Sequence, residues 1–346
     1  MSITFYLNIV SPHQLPLAEE TAKLVGEGNF CYLYAEEFHS ERAKMGWDAT
    51  GCPAWCAKGD ENSPELTSAD IVYTGIRCLS LMERRWRLGK MTCYCSERWF
   101  KPIEVSVLGL RLSVPGWVRM VFPRYFRMVR RFVRWANGDA NARVLAIGPW
   151  AKRDFIRMGV KAEKLVDWGY FVAPGRRQAP TAKPGVRRVL CVGRLIRLKH
   201  FETVIRAVRQ LPPEKFSLTL VGDGPERARL EWLAQGMDNV TFKPSVPIGE
   251  VRGIMREHDV YVLSSNSYEG WGAVVSEALE EGMLVLGTRE AGATKAMLPE
   301  ECLFRCGDWR SLAKKLAGDI PRVGIGEWTA VAAARRLIAF RPACVS

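Results

Sequence analysis

Tyr268-Glu269-Gly270-Trp271-Gly272-Ala273-Val274-Val275-Ser276-Glu277-Ala278-Leu279 sets two glutamates around a glycine-rich turn in the last third of the chain. The residues before it, Asp259 to Ser265, form a β-branched and apolar run that reads as a buried strand. Gly272 to Glu281 reads as a helix stopped by Gly282, so the glycines fall at a strand-to-helix turn. Such a turn suits a diphosphate, because the N–H groups of a helix N-terminus and the positive end of its dipole face the ligand, and glycine allows close backbone approach. Glu269 then lies in the loop at the mouth of the site. Glu277 lies one turn or more inside the helix, where a carboxylate can accept two hydrogen bonds from a diol such as ribose.

Two upstream segments extend this reading. Val189-Leu-Cys-Val-Gly193-Arg194-Leu-Ile-Arg-Leu-Lys199-His200 follows a predicted strand with two cations, and Leu218-Thr-Leu-Val-Gly222-Asp223-Gly-Pro225 ends another strand in a tight turn. Together with Glu-x7-Glu, these resemble in order and spacing the motifs of the retaining, family 4 type glycosyltransferases, over about residues 186 to 320. The resemblance implies a nucleoside-diphosphate sugar as donor and no metal or other cofactor. It implies that Arg194 and Lys199 contact the donor diphosphate and Glu277 the ribose. Glu269, with the amides of Gly270, Trp271, Gly272, Ala273 and Val274, takes the transferred sugar and its phosphate, and Gly193, Gly222 and Asp223 complete the donor-binding set. Retention at the anomeric carbon, by attack on the face the phosphate leaves, also follows from the resemblance, as do catalytic roles for Glu269, Arg194 and Lys199.

Elementary chemistry supports those roles. Negative charge grows on the phosphate as the glycosidic bond breaks, and cations and helix amides aimed there stabilise it. Arginine grips phosphate with a planar fork while lysine acts as a compact point charge. The four histidines, His13, His39, His200 and His258, form no recognisable ligand pair, so no metal site is expected. Each feature alone has a plain structural reading: solvated loop charges, an ordinary helix glutamate, a common turn. The ordered combination points to a sugar-nucleotide site.

Length and patterning frame the rest. At 346 residues with 48% hydrophobic and 25% charged residues, the chain has globular composition and suits two domains. Short apolar runs alternating with amphipathic ones give an α/β class with parallel sheets. Strands are predicted over 3–9, 30–34, 71–73, 91–95 and 144–147, and again over 188–192, 217–221, 240–242, 260–264 and 284–288. The clearest helices are 15–26, 201–211 and 226–235. Pro174 to Gly185 is rich in turn residues and poor in apolar ones, and reads as a linker between two Rossmann-like halves. The expected organisation is an acceptor domain over 1–173, the linker 174–185, a donor domain over 186–325, and a tail 326–346 with a helix over 326–340. The resemblance adds that the two Rossmann-like domains face a central cleft, in the GT-B architecture, and that the tail crosses back to the first domain.

Met1 to Ala18 lacks the basic start of a signal peptide and contains Pro12 and Pro16, so it reads as a strand and loop. No run approaches the ~18 uninterrupted apolar residues of a membrane-spanning helix. Ten scattered cysteines fit free thiols in a reducing cytoplasm better than a disulfide scaffold, and neither Cys52-x3-Cys56 nor Cys93-x-Cys95 has specific zinc spacing.

The formal net charge of +13 is concentrated in Val105 to Gly138, which has seven arginines, no acidic residue and six aromatics. Arg124, Arg127, Arg131 and Arg134 share a helical stripe, with Phe126, Val129, Phe132, Val133 and Ala136 on other sides. Periodicity alone serves equally a membrane-surface helix and a core helix with a wet basic edge. The resemblance favours the first, a peripheral attachment to an anionic membrane through Arg111 to Trp135 on the cytoplasmic, inner face. Zinc-finger spacing, RNA-recognition aromatics and a basic zipper are missing, so nucleic acid is not an expected partner.

In the first domain the resemblance weakens. Relatives carry a histidine after a middle strand, whereas Met91 to Cys95 is followed by Ser96-Glu97-Arg98. Glu97, His13 and Gln14 are the acceptor-side candidates, each with a structural alternative in an ion pair or a turn cap. A lipid-linked or polysaccharide-precursor glycan, as in surface polysaccharide or lipopolysaccharide biosynthesis, is the acceptor the resemblance implies. Two other functions stay open: a nucleotide-sugar epimerase of similar fold, and a catalytically silent scaffold.

Overall fold

The computed structural model describes residues 1–36, 52–101, 103–107, 110–176 and 185–340, and two compact units emerge from it. Linker residues 177–184, tail residues 341–346 and the side chain of Arg111 lie outside what is described.

Among the described residues, the first unit comprises 1–36, 52–101, 103–107, 110–171 and 330–340. In chain order it contains β1 (Ile3–Leu7), α1 (Leu15–Val25), β2 (Phe30–Tyr34), β3 (Cys56–Lys58), α2 (Glu65–Ser68), β4 (Ile71–Thr74), α3 (Leu79–Arg87) and β5 (Met91–Ser96). A hairpin of β6 (Ile103–Val107) and β7 (Leu110–Val114) follows, then α4 (Pro123–Gly138), β8 (Ala142–Ile147), α5 (Pro149–Met158) and β9 (Leu165–Trp168). The sheet runs β3-β2-β1-β4-β5-β8-β9, all parallel. Its central strands are buried end to end, β1 and β4 without an exposed residue. That is why they read as continuous apolar runs rather than alternating ones. A last helix, Ala330–Ala339, packs on α1, burying Ala330, Ala333, Ala334 and Leu337 at the i, i+3, i+4, i+7 spacing of one helix face.

The second unit, residues 172–176 and 185–329 among those described, continues with β10 (Arg187–Val192), α6 (Phe201–Val208), β11 (Phe216–Val221), α7 (Arg227–Leu233), β12 (Val240–Lys243) and α8 (Ile248–Arg256). It ends with β13 (Val260–Leu263), α9 (Ala273–Glu280), β14 (Leu284–Thr288), α10 (Gly292–Met297), β15 (Leu303–Phe304) and α11 (Trp309–Ala317). The parallel order is β12-β11-β10-β13-β14-β15. The chain leaves β10 towards one edge and returns to β13 on its other side. The loops after β10 and β13 therefore diverge and leave a crevice at the carboxyl ends of those strands, the place where open α/β sheets bind ligands.

The basic segment divides differently from its sequence reading. Val129, Phe132, Trp135 and Ala136 of α4 are buried in the core of the first unit. Phe132 there meets Trp99, Tyr94 and Trp135 at ring-centroid distances of 4.7, 5.3 and 5.6 Å. Arg131 and Arg134 both pair with Glu83 of α3, at 2.7 and 3.5 Å. The expectation that apolar residues up to Trp135 meet a membrane is thus corrected: burying these rings gains more than leaving them wet, so the second half of α4 is a core helix. Among the described residues of this segment, the exposed large apolar side chains are those at the start of α4 and in the 3-10 turn before it, Trp117, Val121, Phe122 and Phe126.

Candidate functional site

The loop after β10 carries Gly193 and Arg194. Arg194 is exposed and has no hydrogen-bond or ion-pair partner among the described residues. The loop is seated on the turn after β11: the Leu195 N–H donates to the Asp223 carbonyl at 2.8 Å, and the Glu226 N–H to the Leu195 carbonyl at 2.9 Å. Gly222 permits this contact. Its φ is +146°, and a Cβ there would lie 2.0 Å from the Gly193 carbonyl oxygen. Asp223 is turned away to brace the turn, accepting from the Ser245 N–H (2.7 Å), the Ser245 hydroxyl (2.8 Å) and Arg227 (3.0 Å). The Ser245 bonds, backbone first, hold its carboxyl below the usual range.

Lys199 ends a 3-10 turn, Arg197–Lys199, and its Nζ lies 2.6 Å from Glu269 Oε2. The Ser265 hydroxyl donates to the same oxygen at 2.8 Å, and the Ser264 hydroxyl to the Lys199 carbonyl at 2.6 Å. Both serines follow β13 at the crevice and are fully buried. Sequence reasoning treated them as the end of a strand. Their position directly after the last apolar residue of a switch-point strand is the signal that finds them. Beside Lys199, His200 contacts Glu202 at 3.0 Å, and hydrogen bonds to Cys306 and Glu202 push its pKa up; the sequence reading left this residue without a role.

The helix predicted after the glycine turn is α9. No side chain caps its N-terminus, and Gly272 precedes it with φ +92°. The N–H groups of its first turn, at Ala273 and Val274, face the end of the sheet without intrahelical partners of their own. Trp271 contributes only backbone here: its ring is buried and lies 5.1 Å from that of Trp328. Three glutamates of this helix end are buried, and they differ in their partners. Glu280 accepts from the Gly175 N–H at 2.8 Å. Glu281 pairs with Arg252 and Arg256 at 3.4 and 3.0 Å. The carboxylate of Glu277, a residue 8% exposed, has no hydrogen-bond partner among the described residues. Burial pushes its carboxyl up to about 7, against the opposing pull of Arg252.

In the first unit, His13, Tyr170 and Glu97 form a row at the carboxyl ends of the strands. The His13 and Tyr170 rings stack with centroids 6.0 Å apart, and the Tyr170 hydroxyl donates to Glu97 at 3.1 Å. Burial drives His13 down to about 4, so its imidazole is neutral. Glu97 is ion-paired, with Lys101 at 2.6 Å rather than with its neighbour Arg98. Gln14 departs from the expected acceptor-facing position: it is buried and accepts from Tyr73 at 3.1 Å, in a chain that continues to Trp168. Among the described residues no group of His, Cys, Asp or Glu is arranged to hold a metal ion.

Residues 175–318 match the family described as Glycosyl transferases group 1. The chain carries a group 1 glycosyltransferase domain. The matched range contains every residue that the sequence reading offered for the donor site. Two lipopolysaccharide core biosynthesis glycosyltransferases of Rhizobium meliloti (strain 1021) are similar to parts of the chain. LpsD is 34% identical over 130 residues, and LpsE is 36% identical over 107 residues. These stretches are 36% and 30% of this chain and the same shares of the relatives, so the likeness spans about a third of either protein. At the level of fold, the whole chain resembles the lipopolysaccharide outer core galactosyltransferase WaaB, with a TM-score of 0.67 and 14% identity over 98% of this chain and 99% of that one. It also resembles Anabaena Alr3699/HepE solved with UDP, with a TM-score of 0.63 and 17% identity over 99% and 96%. With the two parallel sheets, these neighbours give the GT-B glycosyltransferase fold to the chain beyond the group 1 domain.

Proposed function

We propose that the protein transfers a sugar from a nucleoside-diphosphate sugar to a hydroxyl of a lipid-linked or polysaccharide-precursor glycan, with retention and without a metal. The observation that carries this reading is Glu277, a buried carboxylate left unpartnered while the glutamates on either side of its helix end are paired. A largely desolvated carboxylate that has no protein partner yet remains 8% exposed is free to accept hydrogen bonds from a ligand, here the ribose diol. Arg194 and Lys199, with the first-turn amides of α9, supply positive charge for the departing diphosphate. Glu269 positions the transferred sugar. The leaving phosphate oxygen takes the proton of the acceptor hydroxyl, so no protein nucleophile is required. The similarity of parts of the chain to two lipopolysaccharide core enzymes favours an acceptor of that class.

The same proposal places the enzyme in the cytoplasm, on the inner face of an anionic membrane. Among the described residues no helix is long and apolar enough to cross one. Support for a surface attachment is narrower than the basic segment suggested: Trp117, Val121, Phe122 and Phe126, flanked by Arg124, Arg127 and Arg130.

Thermal stability with UDP, GDP, ADP and dTDP tests the donor site. A nucleotide at ~100 times its dissociation constant stabilises by about 2.7 kcal/mol. One nucleotide should raise Tm, and Glu277→Ala or Arg194→Ala with Lys199→Ala should abolish that rise. No shift with any nucleotide, in protein shown to be folded, overturns the reading.

A further inference from the structure

The first unit holds a second concentration of positive charge, centred on α5 and bordering the exposed start of α4 at Trp117. A cavity of about 610 Å³ is lined by Arg98, Trp117, Arg153, Asp154 and Arg157, among others. Its one carboxylate is committed. Asp154, almost fully buried, accepts from Arg98 Nε at 3.3 Å and from the Phe100 N–H at 3.2 Å. Arg98, itself largely buried, is fixed by that pair and by the Phe100 carbonyl at 3.4 Å.

Arg153 and Arg157 have no such partner. They lie four residues apart on α5 and therefore on one face, and neither pairs with a carboxylate among the described residues. Arg153 instead lies over the Trp150 ring, 4.8 Å from its centroid. Partial burial, then the neighbouring Arg157 and Arg98 guanidinium groups, push Arg153 below the ordinary arginine value. Three guanidinium groups thus share one spent carboxylate, an arrangement that repels itself until an anion enters. Gly116 shapes the opposite wall: a Cβ there would lie 2.2 Å from the Lys101 carbonyl oxygen, so the 3-10 turn Gly116–Val121 can seat directly on the chain after β5. That seating places Trp117, exposed, at the rim.

We propose that Arg98, Arg153 and Arg157 form a binding site for a phosphomonoester dianion. Paired guanidinium forks suit the geometry and charge of such a group better than a single carboxylate. The group comes either from a phosphorylated saccharide, whose ring would stack on Trp117, or from a lipid headgroup. This site lies in the first unit and does not depend on the donor-site reading.

The test is binding to the full-length protein by calorimetry, with no nucleotide present. The probes are glucose 6-phosphate, glucose, and vesicles of phosphatidylcholine with or without phosphatidic acid. The proteins are the wild type, Arg153→Gln/Arg157→Gln and, as a control of equal charge change at exposed positions of α11, Arg310→Gln/Lys314→Gln. Glucose 6-phosphate should bind and glucose should not, with affinity at least tenfold weaker in the α5 pair and unchanged in the control pair. The same pattern with phosphatidic acid vesicles alone assigns the dianion to lipid and still supports the site. Binding of neither probe, or equal loss in both variant pairs, overturns the proposal. UDP-induced thermal stabilisation measured on the same samples shows independently whether the donor site is intact.

Discussion

Lys199 and Glu269 are joined by an ion pair of 2.6 Å in which Ser265 supplies a further hydrogen bond to the carboxylate. Both side chains are largely buried, so the pair neutralises charge that would otherwise be costly. It also means that Lys199 is not a free cation awaiting a diphosphate. For Lys199 to reach the donor, Glu269 must release it, and a sugar hydroxyl bound to Glu269 is a suitable replacement. Glu269→Gln should therefore leave UDP binding intact or tighter, while turnover falls by about 10²-fold or more because sugar positioning and charge stabilisation in the transition state are lost. Calorimetry with UDP beside initial rates with the cognate nucleotide sugar separates the two effects. Parallel losses in both would remove Glu269 from the sugar side.

Arg194 differs in having no partner to lose. An exposed, unpaired arginine contributes little to the fold, so Arg194→Ala should change unliganded stability by no more than ~0.5 kcal/mol. A charge-assisted hydrogen bond to phosphate is worth about 1.5–3 kcal/mol, so affinity for a nucleoside diphosphate should fall by roughly 10- to 150-fold. Affinity for the nucleoside itself should not change. A variant that melts early but binds normally would make Arg194 structural.

The elements proposed to hold the donor were legible in the sequence because their geometry is local: a strand, a glycine turn and a helix in succession place Gly193, Arg194, Gly222 and α9 with little help from the rest of the chain. Contacts between distant segments were not. Arg85 looks like a surface residue of an amphipathic helix, yet its guanidinium is buried and donates to Thr92 and to the carbonyls of Leu66, Ala69 and Met91. The commitment of Asp223 to Ser245, and of Gln14 to Tyr73, likewise depends on what the sheet brings near. Strands β3 and β9 escaped for a different reason: Cys56–Lys58 is short with mostly exposed residues, and Leu165–Trp168 has Asp167 exposed in its middle, so neither presents an apolar run. In α4 the periodicity was correct but could not say which apolar face was covered.

Glu277 predicts a pH dependence. Its carboxyl rises from 4.5 to about 7, so the folded protein holds this proton more tightly than the unfolded chain does. The stability so gained is fully present below pH 4.5 and is lost as pH rises through 7, at most about 3 kcal/mol. Urea unfolding of the unliganded protein should show this decline between pH 5 and 8, and Glu277→Gln should flatten it. Ribose hydroxyls donating to the carboxylate favour its charged form, so nucleotide binding should release a proton near pH 7 and tighten from pH 6 to 8 in the wild type alone. Equal pH slopes in both proteins would mean that this carboxyl is not desolvated.

The two halves of α4 should respond in opposite ways to substitution. Trp135 is a fully buried aromatic, and Trp135→Ala should cost about 3–5 kcal/mol whether or not a membrane is present. Arg124, Arg127 and Arg130 are exposed, and changing all three to Gln should leave urea unfolding nearly unaltered. If each contributes about 1 kcal/mol at an anionic surface, the triple variant should bind phosphatidylglycerol vesicles on the order of 10²-fold more weakly. Trp117→Ser with Phe122→Ser should weaken binding further and make what remains more sensitive to salt, because only the electrostatic part persists. Co-sedimentation across a salt series reads both effects. Vesicle binding that survives all five substitutions would move the attachment elsewhere on the protein, whereas stability lost in the arginine variant would make that cluster part of the fold.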